Sequence, residues 1–285
     1  MKKGTKGMLV AAGIFASVGI GLCIGGISMA AAQGSGNIVA QAVQIFSDHS
    51  YPFSGLIHLG KDEDFSDEDW EEKEGKSTEV AFAPDLEISL KYNTLIFQEY
   101  TGDVIKVDTL NDTKGDIVTK ENSGKITITD TRKGTIGQHK AVRVQIPSGK
   151  VFDSVKLSVD AGTIEMSASL NTDQFSVEVG VGEFTNSGDI TAKLCDLQVG
   201  AGTIEISQVD TQKLSADCGT GEINIFAAGK EQDYNYELTC GMGNIDLGDS
   251  QYSGFGIEKT ISNDGATRKM VLECGMGDIQ VDFAK

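Results

Sequence analysis

From Leu157 onward the chain alternates apolar and polar residues with a period of two, in blocks of nearly constant length. Leu157-Ser158-Val159-Asp160 and Ile204-Glu205-Ile206-Ser207 are representative, with Ser, Asp, Glu, Gln or Thr between large aliphatic residues. Such alternation predicts strands with one buried and one wet face. Each block turns on a glycine: Gly162, Gly182, Gly202, Gly221, Gly243 and Gly277, spaced by 20, 20, 19, 22 and 34 residues. A recurring unit of roughly twenty residues marks a stacked-repeat architecture, in which no unit seals its apolar face alone.

Aligned on those glycines, the units form columns. Three positions before the glycine stand Val159, Val179, Val199, Cys218, Cys240 and Cys274; two positions after it stand Ile164, Phe184, Ile204, Ile223, Ile245 and Ile279. The predicted fold is all-β: a parallel β-solenoid, β-helix-like, with glycine at each corner because only glycine reaches positive φ cheaply. Residues 151–285 hold the regular rungs, and 77–150 hold a less regular version. There Leu86–Leu90, Leu95–Phe97, Val104–Val107, Lys125–Thr129 and Val142–Ile146 read as strands, with a loop over Thr131–Lys140. The long gap after Gly243 predicts an inserted hairpin, Ile257–Ser262 with Met270–Cys274, turning at Asn263-Asp264-Gly265. The last rung, Ile279–Phe283, has no visible cap, so an open edge there is expected to favour self-association.

Ahead of the repeats lie four segments. Residues 1–7 are basic (Lys2, Lys3, Lys6), and 8–32 run for 25 residues without a charge, long enough for a transmembrane helix. Lysines on the leading side predict a cytoplasmic amino terminus and an extracellular remainder: a single-pass cell-membrane protein. Ala30-Ala31-Ala32 also fits a cleaved signal peptide, and Cys23 a lipid attachment, although Leu22 is bulky for the position before a lipidated cysteine. Residues 33–60 form a juxtamembrane segment. Residues 61–76 form an acidic linker, whose stretch 61–74 carries nine acids against Lys61 and Lys73 and includes Trp70. That run reads as a solvated, extended spacer.

The chain carries 42 acids against 24 bases, for a net charge of −18. Such a field opposes nucleic acid and anionic lipid. The one local basic cluster is Arg132, Lys133, His139, Lys140 and Arg143, read as a solvated loop or a contact for anionic wall polymer. Cys218, Cys240 and Cys274 share one inward column. They read as buried small hydrophobes, with a Cys218–Cys240 disulfide as the alternative, since stacked strands sit about 5 Å apart. His49, His58 and His139 are too scattered for a metal triad, and no catalytic motif is present. Gly241-Met242-Gly243-Asn244 and Gly275-Met276-Gly277-Asp278 imitate half of a calcium nonapeptide, but Ile245 and Ile279 stand where the ligand Asp belongs. No catalytic, cofactor-binding or metal-binding residue is assigned, and no cofactor is expected.

Val144-Gln145-Ile146-Pro147-Ser148-Gly149, then Phe152–Leu157, then Ala161-Gly162-Thr163-Ile164 resemble the bacterial "putative adhesin" domain family. The resemblance covers Asp85 to Phe283. It implies a membrane-anchored β-helical ectodomain at the cell envelope, linked to adhesion or envelope-stress signalling, and no catalytic residues. The expected function is a non-enzymatic envelope protein presenting a rigid solenoid to a protein or cell-wall-polymer partner. Two alternatives stand beside it. One is an accessory to envelope-stress sensing, packing through Gly19, Gly21, Gly25 and Gly26 against a membrane partner. The other is a secreted calcium- or carbohydrate-binding β-helix.

Overall fold

A computed structural model describes residues 75–133 and 138–283. The membrane segment, juxtamembrane segment, acidic run 61–74, Trp70, His49, His58 and Cys23 lie outside the described residues. Among those described, no helix is long and apolar enough to cross a membrane. The described chain is all-β: β1 Lys76–Ala81, β2 Asp85–Tyr100, β3 Val104–Leu110, β4 Ile117–Asn122, β5 Lys125–Asp130, β6 Lys140–Pro147, β7 Val151–Met166, β8 Leu170–Asn186, β9 Ile190–Ala227, β10 Tyr234–Leu247, β11 Ser250–Ile261, β12 Arg268–Cys274 and β13 Asp278–Phe283. One 3-10 turn, Glu231–Asp233, precedes β10.

The repeats stack as parallel rungs in register. β2 pairs with β7, β7 with β8, and β8 with the first part of β9, each unit shifted by one repeat. Val155↔Phe175↔Cys195 and Ile164↔Phe184↔Ile204 are successive members of inward columns, and all six are buried. One hydrophobic cluster runs from Ala83 to Val281 through every rung. Strands β7 to β10 pass through their glycine corners without breaking, while the rung at Gly277 divides there into β12 and β13, so each rung has one limb before the glycine and one after it. The isoleucine column behind the corner faces the same interior as the valine column ahead of it.

Glycine is required at the corner for two reasons. Gly162, Gly182, Gly202 and Gly221 have φ between 137° and 142°, where L side chains are strained. The backbones also press together: a Cβ on Gly182 would lie 1.9 Å from the Gly162 carbonyl oxygen. Gly243 lies outside the positive-φ set, yet a Cβ there would lie 1.9 Å from the Gly277 carbonyl oxygen. Close approach alone dictates glycine at that rung.

At the carboxy-terminal end the order in space departs from the order in sequence. β12 and β13 pair in parallel with the second part of β9 on one side and with β10 on the other. The last rung is therefore interior, not an open edge as its position in the chain suggested. The expected hairpin is also replaced. β11 turns back at Gly248-Asp249 and pairs antiparallel with β10 over Tyr236↔Ile261 to Leu247↔Ser250, leaving β12 to parallel partners. Asn263-Asp264-Gly265 instead lies on the crossing from one side of β10 to the other. Asn263 holds that crossing, donating from Nδ2 to the Tyr234 carbonyl at 2.7 Å and from its amide to Asn235 Oδ1 at 2.9 Å. At the amino-terminal end β3 pairs antiparallel with β6, and β1 with β3. Antiparallel strands thus close the parallel stack at both described ends.

This ordering rearranges the cysteines. Cys274 is in register with Cys218 on one side and Cys240 on the other, so the column runs Val159, Val179, Val199, Cys218, Cys274, Cys240. All four described cysteines are free and buried, in keeping with the hydrophobic reading. Burial pushes the Cys195 thiol up to about 12, which leaves almost no thiolate at neutral pH. Cys218 and Cys240 have Cys274 between them and are not neighbours.

Two outcomes are expected. Gly182→Ala should cost on the order of 3 kcal/mol, lowering the melting temperature by about 6–12 °C. Gly124→Ala, at a φ of 84° with no atom within 4 Å, should cost only about 1 kcal/mol. Circular-dichroism melts of the pair check this, and equal losses would contradict close packing at the corner. Oxidation with diamide under partial denaturation, followed by peptide mapping, should link Cys274 to Cys218 or to Cys240. Recovery of a Cys218–Cys240 disulfide as the main product would show that the rungs stack in chain order.

Candidate functional site

Residues that alternate out of the stack fall on two limbs of different character. Before the corner the outward positions mix signs, and lysines there pair with acids on neighbouring rungs. Lys156 Nζ lies 3.7 Å from Glu178, and Lys269 Nζ lies 2.8 Å from Glu237. Beyond the corner the outward positions are Thr163 and Glu165, Glu183 and Thr185, Thr203 and Glu205, Glu222 and Asn224, Asp278 and Gln280, and Asn244 and Asp246. Asp282 extends this face. No Lys, Arg or His stands on it from β7 to β10.

Repulsion on that limb is managed by position and by amides. Over the first four rungs the carboxylates alternate between two columns: Glu165, Glu183, Glu205, Glu222. Register therefore sets Glu183 against Thr163 and Thr203, and Glu165 against Thr185, and like charges directly opposite are avoided. The pattern breaks where β13 enters, because Asp278 is in register with Glu222. Amide side chains attend the carboxylates there. Asn224 Nδ2 donates to Glu222 at 2.9 Å, Gln280 Nε2 to Asp282 at 2.8 Å, and Asn244 Nδ2 to Asp278 at 2.8 Å. Burial pushes the Glu183 carboxyl above its usual range, and the charges of Glu205 and Glu165 add to that shift.

The same limb contains a groove of about 350 Å³, lined by Asn186, Glu205, Ser207, Glu222, Asn224, Phe226, Gln280 and Asp282 among others. Phe226 is 38% exposed there. This face was missed in the sequence because outward residues were pooled across both limbs. The signal was present: in no regular unit does a lysine stand among the five residues after the corner glycine.

The basic cluster anticipated between Arg132 and Arg143 does not form a patch. Arg132 is buried against the wholly buried Asp130, its Nε donating to that carboxylate at 2.6 Å and its Nη1 to the Gln138 carbonyl at 3.0 Å. Lys140, also buried, donates to Asp112 at 2.6 Å and to Asp116 at 2.7 Å. Arg143 reaches Asp108 at 2.9 Å, and His139 Nε2 lies 3.2 Å from Thr94 Oγ1. These four are tied into the stack, which corrects the reading of a solvated loop for them, while Lys133, the fifth member, is exposed as that reading expected. Burial by itself pushes the Asp112 carboxyl up. The Lys140 hydrogen bond and the amides of Ile117 and Asp116 outweigh it, so the net shift is downward. Among the described residues no cluster of His, Cys, Asp and Glu is arranged to hold a metal ion.

Fold and surfaces together define an all-β stacked-repeat protein that offers extended faces. Within that class, the chain belongs to the family described as Toastrack DUF4097, whose model matches residues 84–285. No curated protein matches the chain. Similar solved structures include a "putative cell adhesion protein" from Clostridium sporogenes ATCC 15579, at 12% identity and TM-score 0.40, covering 74% of this chain and 100% of that one. A "putative adhesin" from Bacteroides fragilis NCTC 9343 is similar at 13% identity and TM-score 0.35, covering 73% of this chain and 97% of that one. A "putative lipid binding protein" from Parabacteroides distasonis ATCC 8503 is similar at 11% identity and TM-score 0.30, covering 74% and 97% respectively. The resemblance read from the Val144–Gly149 turn and the glycine-isoleucine units is borne out.

Glu183→Gln is expected to stabilise the protein at pH 7 and to do nothing at pH 4. A carboxyl whose folded pKa is raised binds its proton more tightly when folded, so stability falls as pH rises through that window. After solvent screening the gain is about 0.5 kcal/mol, or roughly 1–2 °C. Thermal melts at both pH values check it, and a loss at pH 7 would contradict the repulsion.

Proposed function

We propose that this chain is a non-enzymatic cell-envelope protein, anchored by residues 8–32, whose stack is held outside the membrane for contact with a protein or wall-polymer partner. The observation carrying this reading is the division of labour along the rungs. Inward columns make one continuous core, so the outward side chains carry little of the work of holding the fold together. Parallel register then repeats them at the strand spacing of about 4.8 Å, giving flat, rigid, multivalent faces. Rigid faces reduce the ordering cost of association. The family resemblance, with its implied envelope location and link to adhesion, points the same way.

Two measurements on cells displaying the full chain, tagged after its last residue, test this. Protease added to intact cells should remove the tag. Cells carrying the full chain should attach to their own envelope material several-fold better than cells carrying residues 1–76 alone. A tag protected until the cells are lysed would overturn the location, and equal attachment would overturn the role in contact.

A further inference from the structure

The acid limb carries a second feature that charge alone does not explain. Position four after the corner glycine is an inward column, and its occupants in register are Phe97, Met166, Asn186 and Ile206, then Ile225, Val281 and Leu247. Asn186 is the one polar member. It is 5% exposed, and its Oδ1 accepts a hydrogen bond of 3.4 Å from Ser207 Oγ. Its Nδ2 has no partner among the described residues. A buried amide with an unmet donor is destabilising, and an apolar side chain would serve the column better. Asn186 also lines the groove beside Glu205, Glu222, Phe226 and Asp282.

We propose that this groove is the docking site for a basic, lysine- or arginine-rich segment of a protein partner, an inference that rests on the surface-presenting role proposed above. The chemistry matches group by group. Glu205, Glu222 and Asp282 present carboxylates with no base on their face, so an ammonium or guanidinium group finds acceptors without displacing an internal cation. Phe226 offers an exposed ring against which a cation or its aliphatic stem packs. Asn186 Nδ2 is unmet but closed from solvent in the groove wall, so a peptide carbonyl reaches it only where docking opens that wall. The wider limb, with Glu165, Glu183, Asp278 and Asp246, extends the negative field along the stack and speeds encounter with a positive segment. On the mixed limb ahead of the corner Lys156 and Lys269 already bridge Glu178 and Glu237. Asp196, Asp217 and Glu273 there have no lysine partner among the described residues, but they border neither the groove nor its exposed ring.

The test uses the full-length chain in detergent micelles and a fluorescent decalysine peptide, read by anisotropy at low and high salt. Decalysine should bind at low salt and weaken as salt rises. The triple variant Glu205→Gln, Glu222→Gln, Asp282→Asn should weaken binding at least tenfold. A control triple on the other limb, Glu178→Gln, Asp196→Asn, Glu237→Gln, removes the same charge and should change it less than twofold. Asn186→Leu should raise the melting temperature while weakening binding several-fold, a pairing that a merely structural residue would not produce. Equal losses in both triples would mean that overall charge alone attracts the peptide, and would overturn the proposal. So would absence of binding, unchanged binding by Asn186→Leu, or binding of chitotetraose that the groove triple abolishes, which would assign the groove to a glycan. None of these failures alters tag exposure or cell attachment, so the envelope reading stands or falls separately.

Discussion

Backbone packs directly against backbone at the corner column, and the remainder of the stack is built around it. From Gly162 to Gly243, a Cβ would sit 1.8–2.2 Å from the carbonyl oxygen of the rung next to it. Such a contact admits glycine and nothing larger, and it fixes the height of each rung against its neighbour. With the corner locked, residues three before and two after it are brought into line on both limbs. Valine, cysteine and isoleucine ladders then become one dry interior. The column begins at Asn93, which is in register with Gly162 and whose carbonyl oxygen would meet a Gly162 Cβ at 2.0 Å. The regular rungs are thereby joined to the irregular half without a break.

A fold held from the inside leaves its outside free to differ from limb to limb. On the limb ahead of the corner, lysines bridge acids on adjacent rungs, a modest and salt-sensitive reinforcement. On the limb behind it, threonines separate carboxylates and amides attend them, so the face stays negative without like charges meeting directly over the first four rungs. The buried ion pairs gather elsewhere, at the amino-terminal end. There Arg132 and Lys140 hold the segments around Asp130, Asp112 and Asp116 against β2. Removing one partner of such a pair strands a buried charge and is costly, so these cations act as structural ties.

Much of this was legible in the residues. The alternation Lys125-Ile126-Thr127-Ile128-Thr129 became β5, Val142–Ile146 became the body of β6, and every repeat glycine lies at a corner. The acid limb was equally visible in Thr163–Glu165, Glu183–Thr185 and Thr203–Glu205, but only once the corner separates two faces. Arg132 and Lys140 were misread because a loop rich in cations looks the same whether its partners are water or the distant Asp130 and Asp112.

The amino-acid sequence by itself determined which side chains face inward, where each rung turns, and that neighbouring units must complete one another. Those properties are local, because side-chain alternation and glycine's φ freedom depend on a few adjacent residues. Only the tertiary structure decided the order of the last rungs, and with it that Cys274 parts Cys218 from Cys240 and that Phe283 ends an interior strand. The edges of β10 and β12 present the same backbone donors and acceptors and nearly the same inward side chains. Which of them meets β9 is settled by long-range pairing and by the crossing at Asn263, and no local pattern records that choice.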